Sequence, residues 1–202
     1  MRKKLEDKID FEVKGMQEIN TFPLINGFHF PLIGQIILVT TLNRQQIPNV
    51  APKSWVSILA RQPAIVGFSC NVAHDTAKNI LTTGEFVINI PGAELAEKVW
   101  KASELKGQDA GEIQKVGLTP LKSVKLTTPR IAECKAHLEC SLDWTKKYRD
   151  EIIIFGKVLL ASIDKKALEG TPEERYKYLK LITYLEDGTY GVIKTAMKVD
   201  QS

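Results

Sequence analysis

The sequence has few cysteines, little aromatic content and no long apolar run. Cysteine accounts for three of the 202 residues, and no apolar leader with a small-residue cleavage site precedes them, so we expect reduced thiols and a cytoplasmic protein. The longest apolar runs, at 36–39 and 152–155, are far shorter than the roughly 20 residues that cross a bilayer. We therefore expect no membrane span.

The charge is nearly balanced, and the composition is that of an ordinary globular protein. Lys and Arg total 28 against 24 Asp and Glu, and the surplus of +4 is spread along the chain, which argues against a nucleic-acid partner. Disordered and collagen-like classes are excluded by 44% hydrophobic and 26% charged residues. We expect one domain over 1–202, with an N-terminal extension at 1–25 and a mobile, glycine-rich excursion at about 104–118.

Several common site signatures are missing. No GxxxxGK[ST] motif occurs and no glycine-rich turn joins a strand to a helix, which excludes P-loop and Rossmann sites. Cys134, His137 and Cys140 are close in sequence, but the alternation along 134–144 places His137 opposite the two cysteines. We therefore expect buried thiols, a surface histidine and no metal. A cysteine nucleophile also lacks a recognisable base partner.

Strand signals outnumber helix signals along the chain. Apolar and β-branched runs predict strands at 34–42, 64–70, 85–90, 134–144 and 151–163. A short helix is predicted within 74–84, where Ala77, Ile80 and Leu81 share one face and Gly84 follows as the C-terminal cap. A second is predicted at 93–103, where an apolar stripe is formed by Leu95, Ala96, Val99 and Trp100. A third is predicted from a capping box at Thr171 to about Leu179. The fold class is mostly β and antiparallel, with short helices.

Two segments have the composition of a binding site. NVAPKSWVS at 49–57 combines small side chains, backbone amides and Trp55, and such a segment can line a planar heterocycle, although Trp55 could equally be a core residue. In HDTAKNI, at 74–80, Thr76 and the first amides of the helix, beside His74 and Lys78, form a candidate anion site. The alternative is that Asp75 or Thr76 merely caps the helix.

These motifs resemble the flavin reductase-like, FMN-binding split-barrel family, which includes flavoredoxin-like proteins. The resemblance covers NVAPKSWVS, RQPAIVGFS and HDTAKNILTTGEFVINIP, in that order, within 39–91. It implies a split β-barrel, a homodimer with FMN in its interface, and an FMN-contacting set consisting of Asn49, Ala51, Pro52, Lys53, Ser54, Trp55, Ser57, Ser69, Cys70, Asn71, His74, Asp75, Thr76, Asn79 and Asn89. In the family, residues like 49–57 run along the isoalloxazine ring, and residues like 74–79 gather the phosphate.

Two positions depart from the family pattern. Many relatives that oxidise NAD(P)H have Gly-Asp-His before the long strand, where this chain has Arg149, Asp150 and Glu151. Many also have Lys or Arg in place of His74, so phosphate affinity should weaken as His74 loses its proton above a pKa near 6.5.

The resemblance implies an FMN-dependent oxidoreductase in which the flavin performs the redox step and no catalytic side chain is needed. Its electron donor is expected to be NAD(P)H or a small redox protein. Two alternatives remain open. One is a flavoredoxin-type electron-transfer protein that does not oxidise NAD(P)H directly, and the other is a non-catalytic β-barrel binding module.

Overall fold

Seven antiparallel strands form the main sheet of the computed structural model, which describes residues 34–105, 111–185 and 187–199. The strands in chain order are β1 (Ile37–Leu42), β2 (Pro48–Lys53), β3 (Val56–Arg61), β4 (Ala64–Asn71), β5 (Glu85–Ile90), β6 (Pro120–Leu121), β7 (Arg130–Ile131), β8 (Ala136–Tyr148), β9 (Glu151–Ile163), β10 (Ile182–Tyr184) and β11 (Tyr190–Val192). The main sheet has the order β2-β1-β5-β8-β9-β4-β3, while β6 pairs with β7 and β10 pairs with β11.

The helices are short and lie between strands. They are α1 (Asp75–Thr83), α2 (Ala96–Glu104), α3 (Glu112–Lys115) and α4 (Pro172–Leu179), with 3₁₀ turns at Ala93–Leu95 and Lys165–Leu168. None of the helices in the described ranges has the length and apolar character that a bilayer crossing requires.

The sheet curls into a barrel that is open along one side. Its two edge strands, β2 and β3, are consecutive in the chain and are joined only through Ser54 and Trp55. Because so few residues span roughly 10 Å at most, the two edges of the sheet must lie close together. The fold is therefore a split β-barrel, as the resemblance implies.

Strand β1 separates two hydrophobic cores. Ile37 and Val39 point into a cluster formed by β4, β5, β8, β9 and α1, which we call the inner core. Ile36 and Leu38 point into a cluster with α2 and α3, which we call the outer core. This strand is buried along its whole length, as expected for an apolar, β-branched run. The edge strand β2, which pairs with β1, contacts both α1 and α2.

Elements with strong local signals are confirmed. Strand β5 has the predicted bounds, and α1 ends at Gly84, whose φ of 71° is left-handed. Helix α4 begins with the complete Thr171 and Glu174 capping box. Two residues of the predicted apolar stripes are nevertheless exposed, since Leu81 is 53% and Trp100 is 41% accessible.

Residues 111–118, which belong to the mobile excursion predicted at about 104–118, contain secondary structure and buried side chains. This segment contains α3 and buries Ile113, Val116 and Leu118 in the outer core. These apolar side chains hold the segment in place despite its glycines, because their burial offsets the entropy of ordering it. Residues 106–110 and the expected extension at 1–25 lie outside the described ranges, and the single-domain assignment stays a prediction.

The predicted polar face of 134–144 is also wrong, because His137 and Glu139 are buried. Strand β8 lies inside the sheet, and its second face is covered by residues 123–131. Glu139 accepts hydrogen bonds from the amides of Val124 and Lys125, at 2.9 and 2.6 Å, and a bulge follows it. Local alternation cannot reveal a distant segment that covers the polar face.

The two cysteines of this region lie in different cores. Cys134 belongs to the outer core and Cys140 to the inner core. His137, which was expected at the surface, instead uses Nε2 to bond the carbonyl of Ile131 at 2.9 Å. The two thiols are therefore buried in different clusters, and the histidine ring bonds a backbone carbonyl.

Candidate functional site

A cavity of about 450 Å³ lies between β2 and the start of α1. We call it the main cavity. Its volume lies within the range of cofactor sites, roughly 300–1,000 Å³. It is lined by Asn49, Val50, Ala51, Pro52 and Lys53 from β2, Ala73, His74, Asp75 and Thr76 from the α1 region, Ala102, Ser103 and Leu105 from the α2 region, and Glu112 from α3.

The start of α1 faces this cavity without a side-chain cap. His74 occupies the N-cap position, and its side chain accepts no hydrogen bond from the first turn. Neither Asp75 nor Thr76 occupies the N-cap position. Thr76 is a buried residue, 1% accessible, that lines the cavity. A helix N-terminus with a hydroxyl beside it suits an anion.

The positive groups of the main cavity are partly desolvated. Burial lowers the pKa of Lys53, whose Nζ donates a hydrogen bond of 3.1 Å to the carbonyl of Pro52. Burial, followed by the nearby charge of Lys53, also lowers the pKa of His74. His74 is consequently mostly neutral at pH 7 in the free protein, and it can then donate a hydrogen bond but supplies little charge.

Cys70 and Glu151 lie next to these cations. Burial raises the pKa of the Cys70 thiol to about 11, with Lys53 opposing the shift and Glu151 adding to it. A thiol with this pKa is protonated at neutral pH and is a poor nucleophile. Glu151 opens β9 opposite Asn71, and its charge opposes the lowering of the pKa of His74. Glu151 therefore acts electrostatically on His74 in the cavity wall.

Glu112 is a cavity residue that the sequence analysis missed. The residue is 2% accessible, and its carboxylate accepts hydrogen bonds from Asn49 Nδ2 at 2.6 Å and from the Val50 amide at 3.3 Å. Burial raises its pKa. The available signal was the apolar spacing of Ile113 and Val116, which indicates a helical turn inside a polar stretch.

A line of polar side chains supports Asn49 from behind. Asn79 Nδ2 donates to Thr41 Oγ1 at 3.0 Å, and the Thr41 hydroxyl donates a longer bond of 3.5 Å to Asn49 Oδ1. Asn79 does not line the main cavity. Asn79 supports the cavity wall indirectly, because it bonds Thr41, which in turn bonds Asn49.

Other predicted site residues also lie away from the main cavity. Asn89 is fully buried, and its amide bonds the Leu38 carbonyl, Thr40 Oγ1 and the Ile131 amide at 3.0, 3.2 and 2.8 Å. The structure therefore makes Asn89 a brace between strands. Asn71 accepts a 2.9 Å bond from the Ala73 amide and so shapes the turn before α1.

The remaining predicted residues line a second groove of about 520 Å³ beside β3. The predicted members of this groove are Ser54, Trp55, Ser57 and Ser69. Trp55 is 59% accessible, so the alternative in which it is a core residue is wrong. Lys53, which lines the main cavity, and Ser54, which lines the groove, are consecutive in the chain.

Comparison with known proteins identifies the family. The model of the flavin reductase like domain matches residues 31–184. The chain belongs to the flavin reductase-like family. This flavin reductase-like protein is 31% identical to an uncharacterized protein of Aquifex aeolicus over 189 residues, which cover 91% of this chain and 95% of that one.

Solved structures share the fold of this flavin reductase-like protein. Flavoredoxin of Desulfovibrio vulgaris (Miyazaki F) superposes with a TM-score of 0.77 at 19% identity, covering 93% of this chain and 98% of that one. An FMN-binding protein from Thermus thermophilus, with bound 1-cyclohex-2-enone, also has a TM-score of 0.77, at 18% identity, covering 91% of this chain and 100% of that one. At these identities the likeness concerns the fold alone.

Proposed function

We propose that this protein binds FMN in the main cavity and is an FMN-dependent oxidoreductase. The observation that carries the proposal is the meeting of two motif segments across one cavity. Residues 49–53 form one wall and residues 74–76 form the other. FMN needs a flat site for its ring and an anion site for its phosphate, and these two walls suit the two ends.

The phosphate end would be held by the start of α1. The amide of Thr76 belongs to the first turn, and Thr76 lines the cavity. The amide and the hydroxyl of Thr76 can donate to a phosphate oxygen, and the helix dipole favours the dianion. His74 would add a further donor.

The ring end would lie along β2. Ala51 and Pro52 present backbone and small apolar surface, and Lys53 adds a partly desolvated ammonium group. The bound flavin would supply the redox centre, while these residues orient it and exclude water. The redox step of the flavin requires no acid or base from the described residues that line the cavity.

The test is the visible spectrum of the purified protein, followed by release of any chromophore and by titration of stripped protein with FMN and riboflavin. We expect a yellow protein, or tight uptake of added FMN, with weaker binding of riboflavin. A colourless protein that takes up neither flavin would overturn the proposal and favour the non-catalytic binding module.

A second candidate is an electron carrier reduced by a small redox protein instead of NAD(P)H. It is favoured by Glu151, whose charge acts on both Cys70 and His74 at the main cavity. A carboxylate at this place would repel the phosphates of a dinucleotide that approaches the same region. NAD(P)H consumption separates the two candidates.

We also propose a homodimer located in the cytoplasm. Ile153, Leu159 and Ile163 are exposed along β9, and Trp144 stacks on Phe155 beside them with ring centroids 3.7 Å apart. An apolar strand face of this kind is typical of a surface that a partner covers. The three cysteines are free and buried, which fits a reducing compartment.

A further inference from the structure

A smaller cavity of about 250 Å³ adjoins the main cavity, and we call it the aromatic side pocket. The two cavities share Pro52, Lys53 and Ser103 in their walls. The outer wall of the side pocket is formed by three aromatic side chains, Trp100 from α2 and Tyr184 and Tyr190 from the β10–β11 pair.

Tyr184 and Tyr190 pack against the outer core, whereas Trp100, the third aromatic residue of the wall, is exposed. On α2 the core contact is made by Val99, which is 1% accessible, whereas the neighbouring Trp100 remains 41% accessible. Tyr184 lies opposite Tyr190 in the β10–β11 pair, and their rings meet edge to face at 5.7 Å and 73°. A fixed tyrosine pair and an accessible indole thus line one small opening, and such surfaces favour a flat ring.

The charge in this pocket has one sign. Of the described residues that line it, Lys53 is the charged one, and no described carboxylate faces it there. Lys53 Nζ uses one N–H on the Pro52 carbonyl, which leaves further donors for a ligand. Because burial disfavours the charged ammonium, an anion at this place would restore part of its lost solvation.

We propose that the aromatic side pocket binds an aromatic carboxylate, with its ring against Trp100, Tyr184 and Tyr190 and its carboxylate on Lys53. A pocket of about 250 Å³ suits a single substituted ring and is too small for a dinucleotide. The inference rests on the proposed function, because with FMN in the main cavity the ring of the aromatic carboxylate would lie beside the flavin. It deepens that function by naming a substrate class.

The test uses the full-length protein saturated with FMN and follows the indole N–H signals of its three tryptophans by NMR. The Trp100→Phe variant assigns the signal of Trp100. Benzoate and benzamide, which differ in charge but share a ring, are titrated as probes. We expect benzoate to shift the Trp100 signal, to leave that of Trp144 unchanged, and to bind about tenfold more tightly than benzamide.

Substitutions separate the charge from the ring contact. In Lys53→Met we expect benzoate and benzamide to bind with equal affinity. The control Lys101→Met changes an exposed lysine on α2, the helix that carries Trp100, and keeps the tenfold preference. Equal affinities in the parent protein, or a preference that survives Lys53→Met, would overturn the assignment to Lys53. An unshifted Trp100 signal would overturn the pocket itself.

The same titrations without FMN distinguish this inference from the proposed function. If FMN is not taken up but benzoate still shifts Trp100, the flavin proposal fails and the side pocket stands. If FMN binds and benzoate does not, the side pocket fails alone. If benzoate displaces FMN, the two cavities are one site and the inference is overturned.

Discussion

The side-chain amide of Asn49 donates a 2.6 Å hydrogen bond to the buried carboxylate of Glu112, which is 63 positions further along the chain. This bond ties the edge strand of the barrel to α3. It also links a residue of the family motif to a segment outside that motif. The position of the β2 wall of the main cavity therefore depends on a side chain that the motif does not contain.

We expect Glu112→Ala to destabilise the protein by about 1–3 kcal/mol, because it leaves the Asn49 amide and the buried Val50 N–H without their acceptor. Glu112→Gln keeps an acceptor oxygen and should lose much less. Urea unfolding of the two variants measures the difference. Equal losses in the two variants would show that carboxylate charge, and not hydrogen bonding, carries the contribution.

The same residue predicts a pH effect on stability. Burial raises the pKa of folded Glu112 above its unfolded value, so the folded state binds more protons in the interval between the two values. The contribution of Glu112 to stability is therefore fully present below the unfolded pKa and falls as pH rises through the folded pKa. Glu112→Gln should remove this slope, and urea unfolding across the acid range measures it.

Thr76→Ala should weaken FMN binding by about 1–3 kcal/mol if the hydroxyl donates to the phosphate. Riboflavin has no phosphate, so its affinity should change little. Thr82→Ala is the matched control, because Thr82 lies on the same helix, does not line the main cavity and donates a hydrogen bond to the Lys78 carbonyl. Flavin fluorescence titration measures all three proteins, and an unchanged FMN affinity in Thr76→Ala would remove Thr76 from the site.

FMN affinity should depend on pH through His74. Its pKa is lowered by burial, so in the free protein its charge is lost below the ordinary value of about 6.5. A His74→Arg variant stays charged, and we expect it to bind FMN roughly fivefold more tightly than the parent at neutral pH. The advantage should shrink as pH falls and His74 gains its proton. Because the FMN phosphate itself titrates near pH 6, the ratio of the two affinities is the quantity to compare.

The rate at which NADH or NADPH reduces bound FMN should depend on the residue at position 151. With Glu151 in place, we expect slow reduction of bound FMN by NADH or NADPH and faster reduction by dithionite. Glu151→His removes a repulsive charge and should accelerate NADH reduction about tenfold. Stopped-flow bleaching of the flavin measures these rates, with Glu169→His as a control at an exposed position. Rapid NADH reduction that is unchanged by Glu151→His would contradict the carrier hypothesis.

Analytical ultracentrifugation at micromolar concentration should give twice the chain mass of 22.6 kDa. Leu159→Lys places a charge on the exposed apolar face of β9 and should shift the protein toward monomer. Val124→Lys changes an equally apolar and more exposed residue elsewhere and should leave the dimer intact. A parent protein that sediments only as a monomer would contradict the proposed interface.

Elements that the sequence predicted well have strong local causes. Gly84 permits the left-handed turn that ends α1, and the Thr171 and Glu174 side chains satisfy the first amides of α4. The family resemblance also predicted one site for 49–53 and 74–76, and both segments line the main cavity. Short-range sterics and hydrogen bonds are sufficient for such features.

Features that depend on distant segments were not predictable in this way. Helix α3 was expected to be mobile, but it brings Glu112 to Asn49 and buries Ile113 in the outer core. Asn89 resembled a flavin contact, but neighbouring strands use all of its amide. A short sequence pattern does not record which remote backbone groups will compete for a side chain.

The sequence by itself determined the mostly β fold class, the ends of several elements and the two motif segments, because these follow from periodicity and capping within a few residues. The tertiary structure decided which faces are covered. It buried His137 and Glu139 under a distant loop and left Trp100 accessible beside Lys53. The physical reason is that burial and hydrogen-bond satisfaction are settled by whichever segments meet in space, and those meetings span up to 149 positions of this chain.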